Sequence, residues 1–539
     1  MNRIHRMLLD RSETLPGDQK MHASLVSVRR IANNTVISLV GQLVTWTSTF
    51  LLLVAYGRFL GDVRFGELYF ATTFAALVGF PLDAGFSQQI TRDVAQDTGK
   101  ALNYLSNTLL IKLMLWLVLY GLILLLVWLL GYNMEERMLV AICGLILLST
   151  SLANTFASLH SAFERVIFPV VGSILEKGLS ALIGFLVLKL GAGVEVMAWV
   201  LLGGSVANLI WQANWFIRLV GISFAIDRAL IRRLVQTSIP FVAYGVLGVI
   251  YYRIDTVLLS LMTNAAVVGW YGAGYRLFDT LNFLPTLLMA PIMYPVFSKL
   301  STTSEERLKL AIEKTMNFLL FLGIPIAMGL IFAASNIIGF LYHRSEFMPT
   351  VPALQALAPG LVFLYINAVL SNVLISIKKE KKIPVMAAIA LVFNLGLNLI
   401  LIPVYQHVGA AIVTSLTELL LAAIAIVFIP RHLLPAGSLL VGVKSLAASL
   451  VMAAAILLLS TFQITVILPI ATLIYFGTAT LLRTIPREDV QALYRAVRRR
   501  AEGRASPSGV EYQEEDQAKE ITEKLPRIKR DIASQEAAQ

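Results

Sequence analysis

The stretch Gly221–Ser238, GISFAIDRALIRRLVQTS, is the longest polar interruption among the first twelve of a series of apolar runs. Ile222, Phe224, Ile226, Leu230, Leu234 and Val235 alternate there with Arg228, Arg232 and Arg233, which suits a basic amphipathic helix on a membrane surface. On each side lie six runs of about twenty residues, the length that crosses a hydrocarbon core about 30 Å thick. The break therefore divides six spans from six. Composition agrees: 57% of the 539 residues are hydrophobic and 14% charged, with mean hydropathy +0.75, against about 45–50% and about a quarter in soluble domains. The runs do not alternate in segments of about ten residues, which argues against a β-barrel. The fold class is an all-α polytopic membrane protein.

Fourteen spans are predicted, at 34–57, 66–87, 107–130, 138–159, 166–189, 195–217, 238–262, 267–297, 315–340, 351–376, 384–403, 408–429, 439–460 and 464–482. The domain reading follows: a segment 1–33, an N-lobe 34–219, the connector 220–237, a C-lobe 238–430, two added helices within 439–482, and a tail 483–539. The six short even-numbered connections carry sixteen Lys and Arg, including Arg228, Arg232, Arg233 and the lysines of 378–382; the seven odd ones carry five. Positive loops stay on the cytoplasmic side, so both termini are expected there. The polar start of the chain predicts no cleaved signal peptide. The net charge of +11 is explained by these loops and by the basic helix expected at Pro486–Arg504, so no nucleic acid is implied; connector and tail should instead meet anionic lipid. Beyond Ser506 the tail reads as disordered. Cys143, the single cysteine, reads as a packing residue. No HExxH or other metal motif occurs, and no cofactor is expected.

The halves match weakly. Gly66-Glu67-Leu68-Tyr69 opens span 2 and Gly269-Trp270-Tyr271 opens span 8, and Phe80-Pro81 and Leu284-Pro285 follow at nearly the same offset. Parallel repeats with a midplane site between them are a transporter architecture. Pro285, Pro291 and Pro295 crowd span 8, which should bend there.

Few ionisable residues lie inside the spans: Asp83, Lys112, Glu176, Lys177, Arg253, Asp255, Arg276, Asp279 and Glu418. A charge at the bilayer centre costs about 2.5–3.5 kcal/mol, so such residues face a partner or water. Arg276 and Asp279 share a helix face. Arg253 and Asp255 lie about 200° apart and cannot point at one spot. Two readings stand: an Arg–Asp pair that locks span 7 to span 8, or a cationic cavity between the halves whose arginines bind phosphate with their planar forks. Lys112 is long enough to snorkel to the surface. Glu176–Lys177 reads as a structural pair, and Glu418 as either a protonated core residue or part of ion coupling. Asp83, Asp255 and Glu418 are the candidates for binding a proton or sodium ion.

After span 1 comes GRFLGDVRFGELYFATTFAALVGFPLDAGFSQQITRDVAQD, Gly57 to Asp97; the second half opens with SIPFVAYGVLGVIYYRIDTVLLSLM, Ser238 to Met262, and VVGWYGAGYRLFD, Val267 to Asp279. In these motifs the chain resembles the bacterial oligosaccharide flippases of the multidrug/oligosaccharidyl-lipid/polysaccharide exporter superfamily. The resemblance implies two six-helix lobes in a V that alternate between inward- and outward-open states. It implies an undecaprenyl-diphosphate-linked oligosaccharide as cargo, carried outward across the cytoplasmic membrane for surface polysaccharide synthesis, with polysaccharide polymerase machinery as a partner. It also implies a cavity lined by spans 1, 2, 7 and 8, which puts Arg253, Asp255, Arg276 and Asp279 at the substrate, and a groove for the lipid tail at spans 13 and 14. Related lipid II flippases carry basic residues in span 1; here that span, TVISLVGQLVTWTSTFLLLVAY, has none before Arg58, which argues against lipid II as cargo.

Two rivals are kept. A drug or cation exporter of the same superfamily would rely on buried carboxylates, whereas here cations accompany them. A membrane-embedded polymerase or glycosyltransferase would need a sizeable outer loop or an acidic metal motif, and neither is found.

Overall fold

A computed structural model describes residues 17–484. The basic helix and disordered end predicted for the tail lie outside the described residues, as do residues 1–16. Sixteen α-helices and no strand occur among the described residues. Eleven are long and apolar enough to cross a membrane. Two of the eleven are broken midway and cross twice. The segmented run 265–303 adds one more crossing, which gives the fourteen expected.

The first of these breaks lies in α1 (Gly17–Gly79), at Gly61, whose φ of 79° and ψ of 175° belong to a region essentially reserved for glycine. A short 3₁₀ turn and α2 (Phe86–Gln96) follow. The N-lobe is completed by α3 (Ala101–Leu129), α4 (Met134–Ala162), α5 (Ile167–Lys189) and α6 (Val194–Val220). Asn133 starts α4 with a reciprocal cap: its side chain accepts from Glu136 N at 2.8 Å and the Glu136 carboxylate accepts from its backbone.

The C-lobe begins with α7 (Arg228–Met262) and α8 (Ala265–Leu281). Then come α9 (Phe283–Leu288), a π-helical turn at Met289–Met293 and α10 (Tyr294–Thr303). Span 8 is thus interrupted where its prolines cluster; π turns mark such irregularities. The lobe continues through α11 (Glu305–Phe332), the short α12 (Ala334–Tyr342), α13 (Thr350–Ser376) and α14 (Lys382–Phe428). Gln406, at φ 48° and ψ −128°, divides α14 into two crossings just after Pro403. Beyond lie α15 (Ser438–Leu458), packed on α11, and α16 (Ile464–Leu481). One compact unit ends at Phe476 and a second begins at Gly477.

The connector differs from expectation. Residues 221–227 are not helical; helix begins only at Arg228 and runs unbroken into span 7. The cause is local. Asp227 caps α7 by accepting from Ala229 N and Leu230 N. Ser106 and Asn107 of α3 take the preceding backbone, donating to the carbonyls of Ser223 at 2.5 Å and Ala225 at 3.0 Å. Ile222, Phe224 and Ile226 of this segment stand exposed.

The lobes meet at both ends. At the connector end Gln89 donates to Ser238 at 2.8 Å and Arg233 pairs with Asp93 at 3.3 Å. Burial pushes the Asp93 carboxyl up, but hydrogen bonds from Arg92 and Tyr104 outweigh it and hold it below the usual range. At the opposite end the two matched glycines face each other. A Cβ on Gly66 would stand 1.9 Å from the Ala265 carbonyl oxygen, and one on Gly269 2.1 Å from that of Asp62. Backbones can cross this closely only without side chains. Trp270 seals the crossing by donating to Asp62 at 2.9 Å, and Arg58 donates to the carbonyls of Leu341 and Phe340.

Candidate functional site

Between these two contacts lies a cavity of about 770 Å³. One wall comes from both halves of α1, another from α5, and the third from the run α8–α9. Three features of the sequence produce it. Gly61 folds α1 back so that Tyr56 and Tyr69 look into one space. The broken span 8 presents Arg276, Asp279 and Thr280 from α8, then Phe283 and Thr286 from α9. Glu176 and Lys177 reach the cavity from α5.

The charges sort into pairs and a remainder. Lys177 Nζ lies 2.7 Å from Glu176 Oε1, and Asn208 donates to the other carboxylate oxygen at 2.8 Å. Arg253 crosses from α7 to Asp279 at 3.1 Å, with its guanidinium carbon 5.6 Å from the Tyr275 ring centre. One Arg253 nitrogen, Nη1, is buried without a hydrogen-bond partner. Arg276 makes no ion pair among the described residues; its guanidinium carbon sits 5.4 Å from the centre of the Tyr69 ring. With the two pairs closed, Arg276 supplies a net positive charge to the cavity, and arginine cannot lose it.

Of the four residues expected at the substrate, Arg276 and Asp279 line the cavity and Arg253 stands behind Asp279. Asp255 lies apart, 2% exposed: Tyr271 donates to its carboxylate, as does the Thr256 backbone at 2.7 Å. The opposed directions of Arg253 and Asp255 follow from their spacing, as expected. Glu418 accepts from Asn367 at 2.8 Å and borders a second cavity of about 270 Å³. Asn282 lines both cavities. Asp83 is held by three donors: Lys112 at 2.5 Å, Ser151 at 2.8 Å and Asn154 at 3.1 Å. Lys112 therefore does not snorkel. It is fully buried and also donates to the Ser151 carbonyl at 2.9 Å, because a paired interior site nearer than the surface satisfies it. Sequence reasoning missed the cavity positions of Glu176, Lys177 and Tyr69; two lone opposite charges in successive spans, Asp83 and Lys112, were the available sign of a pair.

The fold has known counterparts. Over 83% of this chain and 99% of the other, it superposes on the lipid II flippase MurJ in an inward closed conformation, with TM-score 0.68 at 17% identity. A multidrug resistance MATE family transporter of the MOP superfamily, in an inward-facing conformation, matches over 71% of this chain and 93% of its own with TM-score 0.59 at 15% identity. In sequence, the chain is 23% identical over 373 residues to the probable low-salt glycan biosynthesis flippase Agl15 of Haloferax volcanii, covering 68% of this chain and 77% of that protein. The family described as polysaccharide biosynthesis protein matches residues 31–301, which hold the N-lobe, the connector and the start of the C-lobe with Arg253, Arg276 and Asp279. The chain belongs to the polysaccharide biosynthesis protein family.

Proposed function

We propose that the protein is a flippase that carries an undecaprenyl-diphosphate-linked oligosaccharide across the bacterial cytoplasmic membrane by alternating access. The observation that carries this reading is Arg276, a cation without a carboxylate partner in the wall of a cavity between two lobes, in a chain of this family. A diphosphate brings about two negative charges, and in a low-dielectric cavity an arginine stabilises them strongly. Arg276 makes the first contact. Arg253 holds Asp279 until the diphosphate competes for it. The chain performs transport rather than catalysis in this reading, and the polymerase that consumes the cargo is its partner.

The charge bias of the loops supports a reading with both termini and the connector on the cytoplasmic side. There Ile222, Phe224 and Ile226, beside Arg228 and Arg232, insert at the boundary of an anionic leaflet. Of the three carboxylates expected to couple an ion, Asp83 is held by Lys112, Ser151 and Asn154, so coupling rests on Asp255 and Glu418. Glu418 has room beside it, and Asn282 links that space to the main cavity.

Reconstitution tests the reading. In proteoliposomes, a lipid-linked oligosaccharide with a fluorescent sugar should move to the leaflet where a quencher reaches it, and Arg276→Ala should stop it. Movement of a cationic dye but not of the glycolipid would favour the drug-exporter rival. Sidedness is read by labelling Ser345→Cys and Thr302→Cys, both exposed, in a background lacking Cys143. Only the first should react with an impermeant reagent added outside.

A further inference from the structure

The cavity wall is divided chemically. Around Arg276 stand Lys177 and the hydroxyl of Tyr69 as donors, with the carboxylates of Glu176 and Asp279 already taken by Lys177 and Arg253. The Tyr69 side chain is 4% exposed, lines the cavity and has no hydrogen-bond partner for that hydroxyl. The wall also carries five threonines, 47, 49, 72, 280 and 286; Thr280 is one helical turn from Arg276, whereas Thr286 is ten residues on. Every one uses its hydroxyl proton on a carbonyl of its own helix. Thr47 donates to Leu43 at 2.9 Å, Thr49 to Thr45 at 2.8 Å and Thr72 to Leu68 at 2.9 Å. Thr280 donates to Arg276 at 2.7 Å and Thr286 to Asn282 at 2.8 Å. A hydroxyl has one proton and two lone pairs. With the proton committed, each threonine presents the cavity with acceptors only.

Acceptors are the wrong complement for phosphate, which has no protons to give at neutral pH. They suit a ligand rich in hydroxyl donors. The same part of the wall holds Trp46 from α1 and Phe283 from α9, edge to face with centroids 5.7 Å apart, one from each lobe. The negative face of an aromatic ring favours the C–H bonds on the flat side of a pyranose. Along the C-lobe wall Arg276 and Thr286 are ten residues apart, about 15 Å at helical rise, so a diphosphate at one end leaves room for sugar at the other.

We propose that Thr47, Thr49 and Thr286, with Trp46 and Phe283, form a glycan subsite. It accepts hydrogen bonds from the hydroxyls of the sugar units nearest the diphosphate. The inference rests on the flippase reading of the cavity.

Two soluble probes separate the inference from that reading: farnesyl diphosphate, and farnesyl diphosphate carrying a di-N-acetylglucosamine. Binding is measured by calorimetry on the purified full chain in nanodiscs. Wild type should hold the glycosylated probe more tightly than the bare one. Thr47→Val/Thr286→Val keeps the shape and removes the acceptors, and should weaken the glycosylated probe about tenfold while leaving the bare one unchanged. Trp46→Leu should act in the same selective way. Arg276→Ala should weaken both probes. Thermal unfolding of each variant guards against misfolding, and Thr47→Ser/Thr286→Ser, which restores the acceptors, should recover sugar-dependent binding. Equal loss for both probes, or no loss for either, overturns the subsite. If wild type binds the bare probe through Arg276 and the sugar adds nothing, the flippase reading stands and the subsite falls. If wild type binds neither probe, both fall.

Discussion

In the N-lobe, Lys112 and Asp83 meet at 2.5 Å, and Ser151 and Asn154 donate to the same carboxylate. In the C-lobe, Asp279 has Arg253 at 3.1 Å, while Arg276, one helical turn away on the same face, has no carboxylate at all. Both sites put cations inside a membrane protein, and the difference lies in whether the account closes. A closed site is a lock, because any foreign ion would have to displace a partner already in place. A site with one cation left over is paired only when something else arrives. That contrast separates structural from functional charge better than the mere presence of arginine does.

The contrast is most exposed at the lock. Asp83→Ala strands a fully buried ammonium, which should cost about 3–5 kcal/mol. Membrane abundance and the thermal midpoint should collapse, and adding Lys112→Met should restore most of both. An Asp83→Ala protein as abundant as wild type would mean that this pair locks nothing. The next effect belongs to the unpaired cation. Arg276→Ala should leave the thermal midpoint in place and reduce transport about 10- to 100-fold, the scale of a lost charge-assisted hydrogen bond; a fall in stability instead would move Arg276 to the structural side. Arg253→Ala should have a smaller effect on transport, about tenfold, because Arg276 then turns to the orphaned Asp279. Arg253→Ala/Asp279→Asn should recover it. Failure to recover would mean that Arg253 touches cargo itself. The smallest effect is expected at the solvent-facing pair of Arg344 and Glu346, 3.3 Å apart. Glu346→Gln should change stability by less than about 1 kcal/mol and transport not at all.

The spans could be read from hydropathy because a bilayer imposes length and apolarity on each helix separately. The site could be read only in part. Helical spacing was enough to put Arg276 and Asp279 on one face and to turn Arg253 away from Asp255. It could not say that Arg253 would reach across to Asp279, since that depends on how α7 lies against α8. The pairing of Asp83 with Lys112 was hidden for the same reason: the two are 29 residues apart, in different helices. The threonines of the cavity gave no signal at all. In a membrane helix threonine is commonplace, and only the fold decides whether its lone pairs meet lipid, protein or an open space. The connector was misjudged locally. Its alternation was read as one helix face, but Ser106 and Asn107 of α3 take the carbonyls of Ser223 and Ala225, and helix starts only where Asp227 caps it.

The order of synthesis gives the Lys112–Asp83 pair one more consequence. Lysine in a membrane helix opposes insertion, by up to about 2.5–3.5 kcal/mol at the centre, and α3 carries part of that burden at Lys112 in a run otherwise strongly apolar. The aspartate leaves the ribosome first. It is already waiting at the end of the preceding crossing when the lysine must leave the translocon, so the two crossings can enter the bilayer together as a neutral hairpin. A chain with Asp83 removed would meet that barrier during translation, before there is any folded lobe to destabilise.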